Sequence, residues 1–129
     1  LIKYRLIIDE FGSWDLFQEL LRLLKKIGDL HKVSLSSVAI RWVLEQPQVA
    51  ATIVGARYAS HLSKTLEVFK FRLTSSDKDA IAILLNKASG PLGPVYGLEG
   101  DRSSRHGRIM KYNLNSLPRE EMLKSGSCG

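Results

Sequence analysis

Glycine and arginine stand two apart at Gly55-Ala56-Arg57, directly after the small and β-branched run Ala50-Ala51-Thr52-Ile53-Val54. Glycine lets a ligand approach the backbone closely, and the planar guanidinium of Arg57 presents a fixed set of donors that suits a phosphate dianion. A helix starting near Ala59 adds free first-turn amides and a positive dipole end. The chemistry indicated is anion binding. Taken alone, the pair is a weak signal and reads first as an ordinary turn, because glycine is common after a strand and a loop arginine is usually solvated.

Other reactive residues point to less. His31 stands where a helix ends, a place where imidazole interacts with the last carbonyls. His106 lies beside Arg105 and Arg108 without a second or third ligand at useful spacing, so no zinc site is expected. Cys128 is the only cysteine, which excludes an intramolecular disulfide and a CxxC metal site and fits a reducing, intracellular setting. No apolar run reaches the roughly 18 residues that would cross a bilayer. The opening residues Leu1-Ile2-Lys3-Tyr4 lack the architecture of a secretory signal. A start at Leu rather than Met is expected of a partial sequence, from which any targeting segment would be missing. Lys and Arg number 19 against 13 Asp and Glu, for a net charge of +6. That excess can attract polyanions, but the basic residues are scattered and not interleaved with aromatics, so nucleic-acid binding is not expected.

Elements must hold the turn in place, and the periodicities supply several. From Trp14 to about Leu30, Phe17, Leu20, Leu21, Leu24 and Ile27 recur at helical spacing, which predicts an amphipathic helix capped by Ser13. A second helix is predicted from Leu35 to about Glu45, with Val38, Ala39, Trp42 and Val43 inward, Ser34 as its cap and Pro47 as its stop. The run from Ala50 to Val54 reads as a buried strand. A third helix, from about Ala59 to Val68, would face inward through Leu62, Leu66 and Phe69. Thr74 and Asp77 form a T-x-x-D start for a fourth carrying Ile81, Leu84, Leu85 and Ala88. Trp14 and Trp42 are expected as core anchors.

Four helices against a single strand is an unbalanced set. A lone buried strand leaves its amides and carbonyls without partners, so other strands are expected. Helix, helix, strand, loop, helix, helix is what remains of a repeating β/α chain cut late in its sequence. A wholly helical bundle with residues 50–54 as a buried connector is the alternative that periodicity leaves open.

The residues Val33-Ser34-Leu35-Ser36-Ser37-Val38-Ala39-Ile40-Arg41-Trp42-Val43-Leu44-Glu45-Gln46-Pro47, followed by Thr52-Ile53-Val54-Gly55-Ala56-Arg57, resemble the aldo-keto reductase pattern. There, a helix of this composition leads into the eighth barrel strand and an I-x-G-x-R turn. The resemblance implies the α/β class and the C-terminal fragment of a (β/α)8 TIM barrel, mostly helical with one clear strand. Residues 1–88 would hold helix seven, strand eight and helix eight, and residues 89–129, rich in Gly, Pro, Ser, Asn and Arg, an irregular C-terminal tail. The segment from Arg105 to Asn115 is similar to a C-terminal extension of some of these reductases; a surface-lying tail held by Ile109, Met110, Tyr112 and Leu114 is the plainer alternative.

The resemblance further implies NADP(H) as cofactor, bound at the C-terminal ends of the barrel strands near the loops after the last two. Its implied cofactor-binding residues are Gly55, Ala56, Arg57, His61, Lys64 and Thr65, with Arg57 on the adenosine 2′-phosphate and His61 supporting it. Lys64 and Thr65 depart from the family pattern, which places glutamate and asparagine there for the adenine. Lys64 reverses the charge and could reach the 2′-phosphate instead, whereas Thr65 lacks the paired amide functions that recognise an adenine edge.

In the family, an Asp, Tyr, Lys and His tetrad from the first half of the barrel protonates the substrate carbonyl while the nicotinamide delivers hydride. This chain lacks that tetrad. Lys3 and Tyr4 fall where the family places a connecting loop, so no catalytic residue is assigned and the chain is expected to be inactive alone. The function implied is the cofactor-anchoring C-terminal portion of a cytoplasmic NADP(H)-dependent oxidoreductase that reduces aldehydes or ketones to alcohols. Its partners would be a small-molecule carbonyl substrate in the complete protein and the missing N-terminal half of the barrel, or a partner covering the strand edges, with no nucleic acid and no membrane. The rival is a truncated, non-catalytic reductase-like protein that serves as an interaction or auxiliary subunit. A small basic helical binding module would require residues 50–54 not to be a strand.

Overall fold

The computed structural model describes residues 2–55, 58–90 and 95–110, and the chain divides into two compact units, residues 8–90 and residues 1–7 with 91–129. Helix α1 (Ile2–Phe11) occupies the stretch for which the resemblance implied a connecting loop. Its ten residues include no glycine or proline, and it stops before Gly12.

Helix α2 (Trp14–His31) begins at the predicted cap, with Ser13 Oγ accepting from the Leu16 amide at 3.0 Å. It ends in a tight reversal: the Val33 amide donates to the Gly28 carbonyl at 2.9 Å, and Lys32 is left-handed at φ 57°. A Cβ on Gly28 would lie 2.8 Å from the Val33 carbonyl oxygen, so the chain folds back this closely only over glycine. Helix α3 (Leu35–Leu44) is capped by Ser34, whose hydroxyl accepts from the Ser37 amide at 3.1 Å. Helix α4 (Ser60–Leu66) runs into a 3₁₀ turn, Glu67–Phe69. Helix α5 (Ser75–Leu85) opens with the full reciprocal capping box of Thr74 and Asp77.

Leu24 and Ile27 of α2, Val38 of α3, Ile81 of α5 and Leu73 form the core of the larger unit, with Leu20, Leu35, Trp42 and Phe71 packed against it. Each fully buried aliphatic side chain of this kind contributes about 1.5–3 kcal/mol. An ionic cluster fastens α5 to the end of α3. Glu45 accepts from Arg41 Nε at 2.5 Å and from the Leu73 amide at 3.3 Å, and Lys78 Nζ lies 2.6 Å from its other oxygen. Burial alone would raise the Glu45 carboxyl, but the hydrogen bonds from Lys78, Arg41 and the Leu73 amide outweigh it and hold the group below its ordinary value.

Several expectations are corrected. Residues 50–54 are not a strand, and no strand occurs among the described residues. A β-strand is defined by its ladder, and no neighbouring strand is present to pair with this one. Leu62, Leu66 and Phe69, expected to face inward, are 54%, 50% and 70% exposed, and in this stretch Val68 is the buried side chain. The periodicity is that of a packed face, but the surface it would pack on is not supplied by residues 8–90. Trp14 is half exposed with its ring 6.0 Å from that of Phe17, whereas Trp42 does pack on the core. His31 reaches a carboxylate, Asp77, rather than helix carbonyls.

In the smaller unit, the stretch expected to be irregular carries helix α6 (Val95–Gly100) and a 3₁₀ turn, Gly107–Ile109. Asp101 Oδ1 accepts from both the amide and the hydroxyl of Ser103, at 2.9 and 2.7 Å. Gly107 sits so close to this turn that a Cβ would be 1.9 Å from the Asp101 carbonyl oxygen. Tyr112, Leu114 and Cys128 lie outside the described residues.

Candidate functional site

Helix α3 begins beside the point where residues 54 and 55 lead toward α4, and the three segments enclose a cavity of about 360 Å³. Gly55, His61, Lys64 and Thr65 line it, together with Ser34, Ser36, Ser37, Ile40 and Val54. Four of the six residues expected at the cofactor are thus brought into one cavity. The other two, Ala56 and Arg57, lie outside the described residues.

His61, Lys64 and Thr65 share a side of α4 because they are three and four residues apart. The Thr65 hydroxyl donates to the His61 carbonyl at 3.1 Å. The Ser37 hydroxyl donates across to the Lys64 carbonyl at 3.4 Å and stands 2.8 Å from the Ser34 hydroxyl, which ties the start of α3 to α4. Arg41 adds a second tie, donating through Nη1 to the Val68 carbonyl at 3.4 Å. The ring of Tyr58 meets that of His61 edge-on, 5.4 Å away at 80°.

The polar lining consists of an ammonium, an imidazole and hydroxyls, with no carboxylate. That donor set fits the phosphate end of a phosphorylated dinucleotide. It does not fit an adenine edge, which needs donor and acceptor side by side: no side-chain amide lines the cavity, and the proton of Thr65 is committed to the main chain. Sequence reasoning missed the three serines, because Ser34 was accounted for as a helix cap. The available signal was directional. A helix that runs back along the extended run 50–54 starts beside the end of that run, so its first turn lines the same cavity as Gly55.

A mainly apolar groove of about 370 Å³ shares Ile40, Val54 and Thr65 with this cavity and runs between α3 and α4. Thr52 and Val54 line it, whereas Ile53 between them is fully exposed. Ala50 and Ala51 line it as well, so of the five residues Ile53 alone points away from the groove.

His31 Nε2 and Asp77 Oδ2 form an imidazole–carboxylate pair at 2.8 Å, but neither lines the cavity and Asp77 serves the α5 cap. Among the described residues, no group of three or more His, Cys, Asp or Glu could hold a metal ion, and no helix is long and apolar enough to cross a membrane.

Comparison with known proteins adds a separate line of observation. The sequence model of the aldo/keto reductase family matches residues 3–86. The aldo-keto reductase YhdN of Bacillus subtilis (strain 168) is 34% identical over 85 residues, an alignment that takes in 62% of this chain and 26% of that protein. The chain thus spans about a quarter of the length of this curated relative. No solved structure matches it.

Proposed function

Because the chain belongs to the aldo/keto reductase family, a family of oxidoreductases, we propose that it is the cofactor-anchoring C-terminal portion of an NADP(H)-dependent enzyme reducing aldehydes or ketones to alcohols. The observation that carries this reading is the common cavity of Gly55, His61, Lys64 and Thr65. When bound, NADP(H) supplies the hydride; the residues of this chain bind and orient its phosphate end. Arg57, two residues beyond Gly55, contributes a guanidinium to the 2′-phosphate, and Lys64 contributes a second cation.

The groups that protonate the carbonyl belong to the part of the barrel outside this chain, and that part is also its structural partner. Support comes from the uncovered apolar surface of Ile53, Leu62, Leu66 and Phe69 and from residues 50–54, which make no main-chain hydrogen bond among the described residues. Flanking strands would meet both needs.

The test is a fluorescence titration of the chain with NADPH and with NADH, in wild type, Arg57→Ala and Lys64→Ala. Each substitution is expected to weaken NADPH by about 10- to 150-fold, the equivalent of roughly 1.5–3 kcal/mol, and to leave NADH unchanged. The difference should persist at physiological salt, where the long-range attraction of a basic surface is screened. Equal losses for the two cofactors, or no loss for either, would remove these residues from the site.

A further inference from the structure

Helix α4 carries His61, Lys64 and Thr65, yet little in its own sequence holds it. It has seven residues, no side-chain cap and no buried residue, and a helix of that length is marginal by itself. Val68, buried just beyond its end, anchors it at one point, and the remaining ties come from α3. Ser37 and Arg41 stand one turn apart there, on one face. Each donates to a carbonyl 27 residues further along the chain, Ser37 Oγ to Lys64 and Arg41 Nη1 to Val68, both at 3.4 Å. The Lys64 carbonyl lies in the last turn of α4, where the regular helical bonds run out, and it also accepts from the Glu67 amide.

Ser37 is 1% exposed, so its hydroxyl has no solvent to turn to. Ser34 Oγ accepts from the Ser37 amide at 3.1 Å and stands 2.8 Å from Ser37 Oγ. Each hydroxyl has one proton, and both are used within the protein only if Ser34 donates to Ser37 and Ser37 donates to Lys64. The hydrogen bonds then run in one direction, from the cap of α3 to the main chain of Lys64. We infer that Ser37 is a positioning residue for the cofactor: its hydroxyl is spent on α4, and through α4 it sets where the Lys64 ammonium stands. The inference rests on the proposed reading of the cavity as a cofactor site and adds the residue that fixes its geometry.

Ser37→Ala removes the hydroxyl and little else. The amide that Ser34 caps remains, the Lys64 carbonyl keeps the Glu67 amide, and alanine suits a helix better than serine. In the complete 129-residue chain the variant should speed amide exchange across residues 60–66 by about three- to tenfold, with α2 and α5 unchanged. By fluorescence titration NADPH should bind about three- to tenfold more weakly, the range of one neutral hydrogen bond. Because Ser37 works through Lys64, its effect on NADPH should shrink to about twofold or less in a chain that already carries Lys64→Ala, whereas a general loosening of the fold would weaken both backgrounds alike. Unchanged exchange in residues 60–66 would overturn the inference whether or not NADPH binds. With NADPH bound by the wild type, an equal loss in the two backgrounds, or none in either, would overturn it while leaving the cofactor reading intact. Failure of the wild type to bind NADPH would instead remove the cofactor reading, and the positioning role with it, even if exchange rose as expected.

Discussion

His31 Nε2 lies 2.8 Å from Asp77 Oδ2, so the last residue of α2 is fastened to the carboxylate that closes the capping box of α5. The same oxygen accepts from the Thr74 amide at 2.9 Å. Burial alone would raise the Asp77 carboxyl, but hydrogen bonds from His31 and from the amide and hydroxyl of Thr74 outweigh it and hold the group below its ordinary value of 3.8.

A carboxylate whose folded value is depressed contributes stability above its unfolded value, and that contribution is lost as the pH falls through the folded one. Asp77→Asn should therefore cost about 1–3 kcal/mol at pH 7, as a charge-assisted bond does. The gap between wild type and variant should close as the pH falls from the ordinary value of 3.8 through the depressed folded one. Urea midpoints at neutral and acidic pH measure the gap; a gap of equal size at both would show that Asp77 acts through shape and not charge.

Glu45 and Lys78 should behave unequally although they form one ion pair. Arg41 and Glu45 are 12% and 13% exposed, so Glu45→Ala strands a buried guanidinium and the Leu73 amide, a loss on the order of 3–5 kcal/mol. Lys78 is 44% exposed, and Lys78→Ala should cost no more than about 1 kcal/mol because solvent screens its half of the pair. Chemical denaturation of the two variants side by side decides the matter, and similar costs would contradict the assignment of the buried link to Arg41 and Glu45.

Gly28→Ala sets two effects against each other. Alanine in a helix interior gains about 1 kcal/mol over glycine. The new Cβ would meet the Val33 carbonyl oxygen at 2.8 Å, however, and main chain cannot yield as a flexible side chain can, at a cost of about 1–3 kcal/mol. The net expectation is a lower melting temperature together with fraying after Ile27, seen as faster amide exchange at Val33. A rise in melting temperature would mean that the α2–α3 turn relaxes freely.

What could be read in the sequence was local. Ser13, Ser34 and the pair Thr74 and Asp77 cap the helices as predicted, since a cap is set within four residues. The inward row Leu20, Leu24 and Ile27 follows from spacing alone. Whatever depended on distant chain was less legible. The partner of His31 is 46 residues away, and nothing near it in sequence points to Asp77. Residues 50–54 have a strand's composition, but a ladder needs a second strand. The shared cavity of Gly55, His61, Lys64 and Thr65 was approached through a family pattern, whereas Ser36 faces it because of how α3 is laid beside α4.

Ile53, fully exposed at the centre of an unpaired β-branched run, makes residues 50–54 a template as well as a gap. No charge or proline interrupts Ala50-Ala51-Thr52-Ile53-Val54, the features by which natural sheet edges discourage accretion of other chains. In concentrated solution this run is expected to pair with the same run of a second molecule, as short apolar β-forming segments do in cross-β fibrils. Light scattering from a concentrated solution should therefore rise more slowly for Ile53→Lys than for the wild type, and equal rates would show that this run is not where molecules join.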